Sequence, residues 1–214
     1  MTLKLHAFPL SPRGFKVLVV ANHIGIDYEF CLCDLRNGGQ RTPEFAALNP
    51  NQKMPVLEDG AFSLWESNAI IHYIAARQSD SGMMGADAQA RADVLRWLFW
   101  ESTTWDPACA TLVYENAVKG LFGLGEPDPA EVEKGLQRFN AAARILNAQL
   151  TGRAFIRGAQ ITLADFAVGS ALTATQMAKL PVDSYPEIKR WSDQLQALPA
   201  WRQTLEMQAL PAAA

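Results

Sequence analysis

Hydrophobic and polar residues switch repeatedly between strand-like alternation and helix-like spacing over residues 1–78, which indicates mixed strands and helices. Leu3 and Leu5 alternate with polar neighbours and predict a first strand, and Tyr28–Cys33 predicts a second. Between them, Ser11-Pro12 is typical of a capped helix start and Gly25 of a helix end. Two strands joined by so long a connection are expected to pair in parallel.

The next segment predicts a short helix and a hairpin. Thr42-Pro43-Glu44 starts the helix and Asn49-Pro50 ends it. Val56–Glu58 and Ala61–Trp65 are strand-like and flank Asp59-Gly60, a dipeptide that accepts the left-handed backbone of a two-residue turn. We therefore predict an antiparallel hairpin that turns at Asp59-Gly60.

A further helix completes the first half of the chain. Ser67 precedes an apolar face that includes Ile70 and Ile74, which predicts a helix capped by Ser67. Residues 1–78 therefore have the predicted element order β-α-β-α-β-β-α.

The second half of the chain is predicted to be helical. Residues 79–87 have the Ser, Gly and Asp content of a linker, and strand signals nearly vanish after them. One long amphipathic helix is predicted over 88–105, with an interruption at Asp106-Pro107 and a continuation to Lys119.

Three capping boxes predict later helix starts in this half: Asp128–Glu131, Thr162–Asp165 and Ser184–Glu187. The helix after the first box has apolar residues spaced by three and four, which indicates a buried face. Its members are Val132, Leu136, Phe139, Ala143, Leu146 and Leu150. We therefore predict an all-helical domain over residues 88–214.

Composition and charge narrow the possible functions. The chain has 214 residues, of which 49% are hydrophobic and 19% charged, the composition of a globular protein. A net charge of -3 without a basic run argues against nucleic acid as a partner. The start of the chain lacks the pattern of a secretory signal, and no apolar stretch approaches the length of a membrane helix. A cytoplasmic protein without a membrane partner is expected.

The cysteines and histidines do not predict a disulfide framework or a metal site. Three cysteines are an odd number in a chain without a secretory signal. Cys31 and Cys33 share one face of the predicted second strand, where both are interpreted as small buried hydrophobic residues. The three histidines are scattered along the sequence, too few to complete a metal site.

This organisation, with a proline just before the hairpin, resembles the cytosolic glutathione transferases. Four motifs occur in the order and at the spacing of that family: Ser11; Asn49-Pro50 with Lys53–Leu57; Glu66–Ile70; and Thr162–Phe166. Each motif alone is weak, but the four together extend the resemblance over nearly the whole chain. It implies an α/β thioredoxin-like N-terminal domain (1–78) and an all-α C-terminal domain (88–214) of the glutathione transferase fold.

The resemblance also implies a function. The chain is expected to be a cytoplasmic, homodimeric detoxification enzyme that uses glutathione as co-substrate with a small hydrophobic electrophile. Within the family it resembles bacterial serine-type members of the theta, phi or beta kind. Two alternatives stay open: a glutathione-dependent disulfide reductase or peroxidase, and a non-catalytic protein that binds glutathione or another ligand.

Ser11 is the candidate catalytic residue. The turn after the first strand carries Ser11-Pro12-Arg13-Gly14, where the thioredoxin fold normally presents a Cys-x-x-Cys pair, so the nucleophilic sulfur must come from a cofactor. Without an adjacent base Ser11 is a poor nucleophile itself. A better role is to donate its O–H to a bound thiolate at a helix N-terminus. The alternative is that Ser11 only caps the helix.

Further residues are expected to hold glutathione. The resemblance implies a cis bond between Met54 and Pro55, which would leave the Met54 backbone able to pair with an extended peptide. The alternative is that Pro55 only begins an edge strand. Glu66 can accept the ligand's ammonium, and Ser67 at a helix start can hold its α-carboxylate. For these two, the alternative is an ordinary helix cap.

Two more polar residues and a second pocket complete the predicted site. Lys53 and Gln40 are expected to face the glycine carboxylate, although many relatives have a basic residue at the position of Gln40. Leu10, Trp105 and Tyr114 are candidates for the wall of an apolar second-substrate pocket. Core packing is the alternative for the aromatic residues around Trp105.

Thr162 and Asp165 are interpreted as a structural capping pair rather than as part of the chemistry.

Overall fold

The computed structural model describes residues 2–78 and 81–208, and in this part of the chain two compact units form. Unit 1 contains the described residues up to Met84 and those from Gln196 onward, and unit 2 runs from Gly85 to Leu195. The expected second domain of 88–214 included the C-terminal segment, which the structure instead places in unit 1. Two residues of the expected linker, Ser79 and Asp80, lie outside the described residues.

Unit 1 contains a four-stranded sheet of the predicted kind. Its strands are β1 (Leu3–Ala7), β2 (Tyr28–Leu32), β3 (Val56–Asp59) and β4 (Phe62–Trp65). They lie in the order β2-β1-β3-β4, with β1 parallel to β2 and β3 antiparallel to both β1 and β4. The predicted parallel pair, the hairpin and the thioredoxin-like class are confirmed.

Unit 1 also contains the helices α1 (Pro12–Ile24), α2 (Pro43–Leu48), α3 (Ser67–Arg77) and α11 (Pro199–Glu206). Helix α1 contacts β1, α3 and α11. Every residue of its segment 14–21 is buried, which explains why this stretch is apolar on nearly all sides. It ends as predicted at Gly25, which is left-handed at φ 73°.

The hairpin turn lies one residue later than the sequence predicts. Asp59 pairs with Phe62, so the loop is Gly60-Ala61 and not Asp59-Gly60. Gly60, at φ 62°, takes the first loop position, which is left-handed in a type II′ turn. Because one glycine suffices for this turn type, Asp59 stays in the strand and its carboxylate accepts a hydrogen bond from the Tyr73 hydroxyl at 2.6 Å.

The interpretation of Cys31 as a buried residue is wrong, whereas that of Cys33 is confirmed. Strand β2 is at the edge of the sheet, so Cys31 stays half-buried. Cys33 follows the strand and packs in a cluster with Phe45 and Val56. Burial raises the pKa of its thiol to about 11, with a smaller contribution from Asp34, so Cys33 is unreactive near neutral pH.

Unit 2 is helical, and α10 extends one residue into unit 1. Its helices are α4 (Ala88–Trp100), α5 (Asp106–Val113), α6 (Lys119–Leu121), α7 (Pro129–Leu150), α8 (Leu163–Ser170), α9 (Thr175–Ala178) and α10 (Pro186–Gln196). None of the helices within residues 2–78 and 81–208 combines the length and the hydrophobicity that a membrane span requires.

The predicted interruption at Asp106-Pro107 is wrong, because helical structure continues through it. A π-helical turn over Glu101–Trp105 joins α4 to α5, and a second over Tyr114–Val118 joins α5 to α6. The Asp106 N–H bonds to the carbonyl of Glu101, one residue further back than in an α-helix. This widened turn accommodates the proline without a break.

In two of the three predicted capping boxes, a side chain from elsewhere in the sequence takes the place of one of the predicted capping residues. Asp128 does cap α7, but its own N–H donates to Glu115 Oε2 at 2.7 Å, while Glu131 pairs with Lys134. The Lys119 ammonium and then the Asp128 amide lower the pKa of Glu115.

At the start of α10, the predicted box of Ser184 and Glu187 gives way to another cap. Asn147 Oδ1, on α7, accepts from the Glu187 N–H at 3.0 Å and the Ile188 N–H at 3.4 Å. The Glu187 carboxylate accepts from Arg190 instead. Only the box at Thr162–Asp165 forms as predicted.

The C-terminal helix α11 packs on α1 within unit 1. The Trp201 ring meets the Phe15 ring edge-on, with centroids 4.9 Å apart. Asn22 donates to Thr204 Oγ1 at 2.8 Å, and Gln208 donates to the Pro9 carbonyl at 3.0 Å. These contacts hold the segment after Gln196 against α1, whose N-cap residue is Ser11.

Helix α1 starts without the side-chain cap that the sequence predicts. Ser11 occupies the N-cap position, but its hydroxyl makes no capping hydrogen bond. The corresponding residue of α4, Asp87, accepts from the Ala90 N–H at 2.7 Å. The Ser11 hydroxyl is therefore not committed to holding its helix.

Asp165 lies inside the core of unit 2. Its carboxylate accepts from the N–H groups of Ile156 at 2.8 Å and Thr162 at 2.9 Å, and from Trp191 Nε1 at 3.0 Å. The Thr162 hydroxyl adds a fourth bond at 3.2 Å. The residue joins a loop, a helix start and α10.

Replacing Asp165 with alanine should lower the free energy of unfolding by about 3 kcal/mol or more, because three N–H groups and the Thr162 hydroxyl lose their acceptor. Urea denaturation measures the effect. The matched control is Asp193→Ala, an exposed carboxylate whose loss should change stability by less than about 0.5 kcal/mol. Equal effects of the two substitutions would contradict the structural role.

Ser11→Ala should leave the free energy of unfolding nearly unchanged, because no capping bond is lost. Asp87→Ala, which removes a cap that is formed, should cost about 1 kcal/mol. Thermal and urea unfolding of both variants would test this. A loss of about 1 kcal/mol in Ser11→Ala would mean that the hydroxyl caps α1 after all.

Candidate functional site

The sheet register brings Ser11, Met54 and Glu66, three of the predicted site residues, to one edge of the sheet. His6 on β1 pairs with Val56, and Val56 pairs with Trp65. The end of β1, the start of β3 and the end of β4 therefore lie side by side. Ser11 follows the first, Met54 precedes the second, and Glu66 follows the third.

The turn that presents Ser11 is tightly built. The Ser11 N–H donates to the Phe8 carbonyl at 2.9 Å, and the Ser11 carbonyl accepts from the Phe15 N–H at 2.8 Å. A Cβ on Gly14 would clash with the carbonyl oxygen of Phe8, so only glycine allows the helix to approach this turn. The half-buried Ser11 side chain thus stands at the N-terminus of α1.

The segment before β3 presents its backbone. The bond between Met54 and Pro55 is cis, as the resemblance implied. Among the residues that the structure describes, neither the N–H nor the carbonyl of Met54 has a hydrogen-bond partner. The buried Asn49 side chain supports this segment by donating to the Lys53 carbonyl at 2.6 Å. Sequence reasoning used Asn49 as a helix end and as part of a family motif, and missed this support.

Glu66 lies in a strained backbone conformation. Its φ of 72° with ψ of 112° is a combination that L-residues rarely adopt. Strain of this kind is found at functional sites more often than elsewhere. Glu66 occupies the N-cap position of α3, and its exposed side chain makes no capping bond, so the carboxylate is available to a ligand.

Ser67 is the first residue of α3 and not its cap, which corrects the prediction. The helix begins one residue earlier than predicted, because Glu66 occupies its N-cap position. Lys16 Nζ donates to Ser67 Oγ at 3.1 Å and to Asn68 Oδ1 at 2.9 Å. Sequence reasoning missed Lys16, for which the only signal was a lysine within the apolar run of α1.

Gln40 and Lys53 are placed differently from each other. Gln40 lies in a 3-10 turn, Gly39–Arg41, and its Oε1 is buried without a partner in the described part of the chain. Lys53 is exposed and directly precedes Met54. The register argument brings Lys53 to the same edge as Ser11, whereas no contact places Gln40 there.

The three candidates for the second pocket have different surroundings. Leu10 is half-buried next to Ser11 in unit 1. Trp105 in unit 2 is 0% exposed, with Nε1 donating to the Val168 carbonyl at 2.9 Å, so it packs in the core and has no surface to offer a substrate. Tyr114 is 46% exposed, and Lys119 Nζ lies 5.7 Å from its ring centroid.

No group of three or more His, Cys, Asp or Glu side chains that could hold a metal ion occurs within residues 2–78 and 81–208. The charged groups at the site edge are instead suited to an organic ligand with both signs of charge. A helix start with an ammonium favours an anion, and the Glu66 carboxylate favours a cation.

Comparisons with known proteins agree with this geometry. Residues 1–76 match the N-terminal domain of glutathione S-transferases and residues 97–199 match the C-terminal domain. The chain is 36% identical to glutathione S-transferase 3 of Zea mays, over 98% of this chain and 96% of that protein. It is 28% identical to glutathione S-transferase D7 of Drosophila melanogaster, over 95% and 89% of the two chains.

Solved structures give the same result. The apo structure of a glutathione S-transferase III has a TM-score of 0.86 and 33% identity, covering 100% of both chains. A glutathione transferase family member from Pseudomonas fluorescens, solved with two glutathione bound, has a TM-score of 0.84 and 26% identity, covering 96% of this chain and 92% of that one. With its thioredoxin-like sheet and helical second unit, the chain belongs to the glutathione S-transferase family.

Proposed function

We propose that the protein is a serine-type glutathione S-transferase in which Ser11 stabilises the thiolate of glutathione for attack on a small hydrophobic electrophile. The observation that carries this proposal is the Ser11 hydroxyl, which stands at a helix N-terminus but does not cap it. A donor in this position, together with the helix dipole, favours a negatively charged sulfur nearby.

The remaining residues of the edge suit the rest of the tripeptide. The Met54 N–H and carbonyl would pair with the cysteinyl backbone as if a strand were added. The start of α3 with Ser67 would hold the γ-glutamyl carboxylate, and Glu66 its ammonium. Lys53, with Gln40, would face the glycine carboxylate at the other end. The two ends of the ligand are thus recognised by charge and its middle by backbone.

Ionisation of the thiol explains only part of the catalysis. A free thiol with a pKa of about 8.5 is only about 3% thiolate at pH 7, and lowering the pKa by about two units raises this to roughly 75%. Because nucleophilicity falls with pKa, the net gain is a few-fold. The larger contribution must come from holding the electrophile against the sulfur.

The electrophile would therefore be selected by an apolar pocket. Leu10 in unit 1 and Tyr114 in unit 2 each have accessible side-chain surface and stay candidates for contact with the electrophile, whereas Trp105 is a packing residue that supports unit 2. In the reaction, the sulfur forms a bond to the electrophilic carbon, the leaving group departs with its electron pair, and the thiol proton passes to solvent.

Conjugation is favoured over disulfide reduction by the absence of sulfur at the reactive turn. Ser11 stands where a redox enzyme of this fold presents a cysteine. Of the three cysteines, Cys33 and Cys109 are buried with raised pKa values, chiefly through desolvation, and Cys31 lies on the edge strand. None of them lies in the turn that carries Ser11.

Within the family, we place the chain close to the plant phi class. The relatives of Zea mays, Oryza sativa and Arabidopsis thaliana support this placement. Matches to structures from Pseudomonas fluorescens and Burkholderia graminis are compatible with the expected bacterial subtype, which stays a prediction. A cytoplasmic location likewise stays a prediction.

Ser11→Ala and Glu66→Ala should separate thiolate stabilisation from binding. Ser11→Ala should raise the pKa of the bound thiol by about one to two units with little loss of affinity, because one hydrogen bond to sulfur disappears. Glu66→Ala should weaken glutathione binding about ten-fold or more through loss of a charged hydrogen bond, and leave that pKa nearly unchanged.

The measurements are the ultraviolet absorbance of the bound thiolate against pH, calorimetry with glutathione, and turnover with an aryl halide. Ser11→Gly serves as a control, since it alters a helix cap by only a few tenths of a kcal/mol. If the pKa of the bound thiol in both Ser11 variants is the same as in wild type, Ser11 has no catalytic role. If the wild-type protein binds glutathione but turns over no electrophile, it is a glutathione-binding protein and not a transferase.

We also propose a homodimer, in keeping with the family. Phe62 and Trp65 on the edge strand β4 are exposed by 48% and 38%, which is unusual for an unpaired strand edge. Analytical ultracentrifugation at micromolar concentration should show twice the 23.5 kDa of one chain. Phe62→Glu should shift the population towards the monomer, while Ile145→Glu should not. Wild-type protein that sediments as a monomer would refute the dimer.

A further inference from the structure

Lys16 places a positive charge inside unit 1, at the start of α3. The residue lies in the second turn of α1 and is 1% exposed. Its Nζ donates to Ser67 Oγ at 3.1 Å and to Asn68 Oδ1 at 2.9 Å. A buried ammonium is unfavourable unless its donors are satisfied, so these bonds hold the charge against the first turn of α3.

The bond from Lys16 determines the role that the Ser67 hydroxyl can play. An ammonium has donors and no acceptor, so Ser67 Oγ must accept in this bond. The hydroxyl then retains one hydrogen of its own, and no residue in the described part of the chain is recorded as its acceptor. Ser67 is therefore oriented as a donor towards whatever binds at the helix start.

The start of α3 also presents backbone N–H donors, which favour a negatively charged ligand group as the Lys16 ammonium does. The first N–H groups of a helix have no partner within it, and the N-cap residue Glu66 makes no side-chain capping bond to them. The helix dipole contributes about half an elementary charge at such an end, and the Lys16 ammonium contributes a full charge beside it. Both favour a carboxylate as the ligand group.

We propose that Lys16 is a positioning residue for the γ-glutamyl carboxylate of glutathione, acting through Ser67. The ammonium fixes Ser67 as a donor and adds a buried positive charge, so that the start of α3 selects an anionic group. This inference rests on the proposed function, because it concerns the glutathione site itself. It adds to that site a residue whose side chain is too deeply buried to touch the solvent.

The experiment compares two ligands in wild type and in Lys16→Met. One ligand is glutathione, and the other is 4-aminobutyryl-cysteinylglycine, which lacks only the γ-glutamyl carboxylate. Lys16→Met should weaken glutathione binding about ten-fold, measured by calorimetry, and weaken the analogue by less than about two-fold. KM for glutathione should rise by a similar factor, while kcat at saturating glutathione stays within about two-fold.

Three further variants separate positioning from structure. Lys16→Arg keeps the charge and should recover most of the affinity for glutathione. Lys4→Met, which removes an exposed lysine of β1, should change the affinity for neither ligand. In a Ser67→Ala background the effect of Lys16→Met on the affinity for glutathione should shrink, because the two residues act together.

If Lys16→Met does not fold, Lys16→Gln takes its place in the experiment. This variant keeps an N–H donor without the charge and should still discriminate between the ligands.

The outcomes distinguish this proposal from the proposed function. Equal loss of both ligands, or no loss, in a folded Lys16 variant would refute the role of Lys16 while leaving the glutathione site in place. Wild-type protein that binds neither ligand would refute the proposed function and this inference with it. A loss confined to glutathione, recovered in Lys16→Arg, supports both.

Discussion

The burial of segment 14–21 of α1 is the constraint on which the arrangement of unit 1 and of the proposed site depends. Segment 14–21 of this helix is buried on every side, among β1, α3 and α11. Such a helix has no solvent-facing stripe along which it could slide or rotate without opening a cavity. The positions of its first residues therefore follow from packing, and Ser11 at its start and Lys16 in its second turn are held with the precision of the core.

The proposed glutathione site depends mainly on backbone features, which substitution of side chains would not easily remove. A helix start, a free backbone N–H and a carbonyl at Met54 are present whatever the side chains. Side chains add charge at the ends, with Glu66 on one side and Lys53 on the other. Tyr114, the candidate for contact with the second substrate, would act through an exposed side chain instead, so in the proposed enzyme substrate range could change while the glutathione site is kept.

Local signals in the sequence predicted most of the fold, whereas the two capping boxes that failed did so because of long-range partners. Ser11-Pro12 and Gly25 bound α1 correctly, because helix start and end residues act on their immediate neighbours. The caps supplied by Glu115 and Asn147 come from distant segments and leave no local pattern. For the same reason Lys16 could not be recognised, since its partner Ser67 lies 51 residues away in sequence.

Unit 1 is assembled from two stretches of chain that are separated by the whole of unit 2. During synthesis, the face of α1 that Trp201 later covers emerges long before α11 exists. Until then Phe15 and its neighbours on α1 are exposed, or are covered by a temporary partner. Folding of unit 1 therefore cannot finish when its own N-terminal segment has been made, but must wait for the segment that follows unit 2.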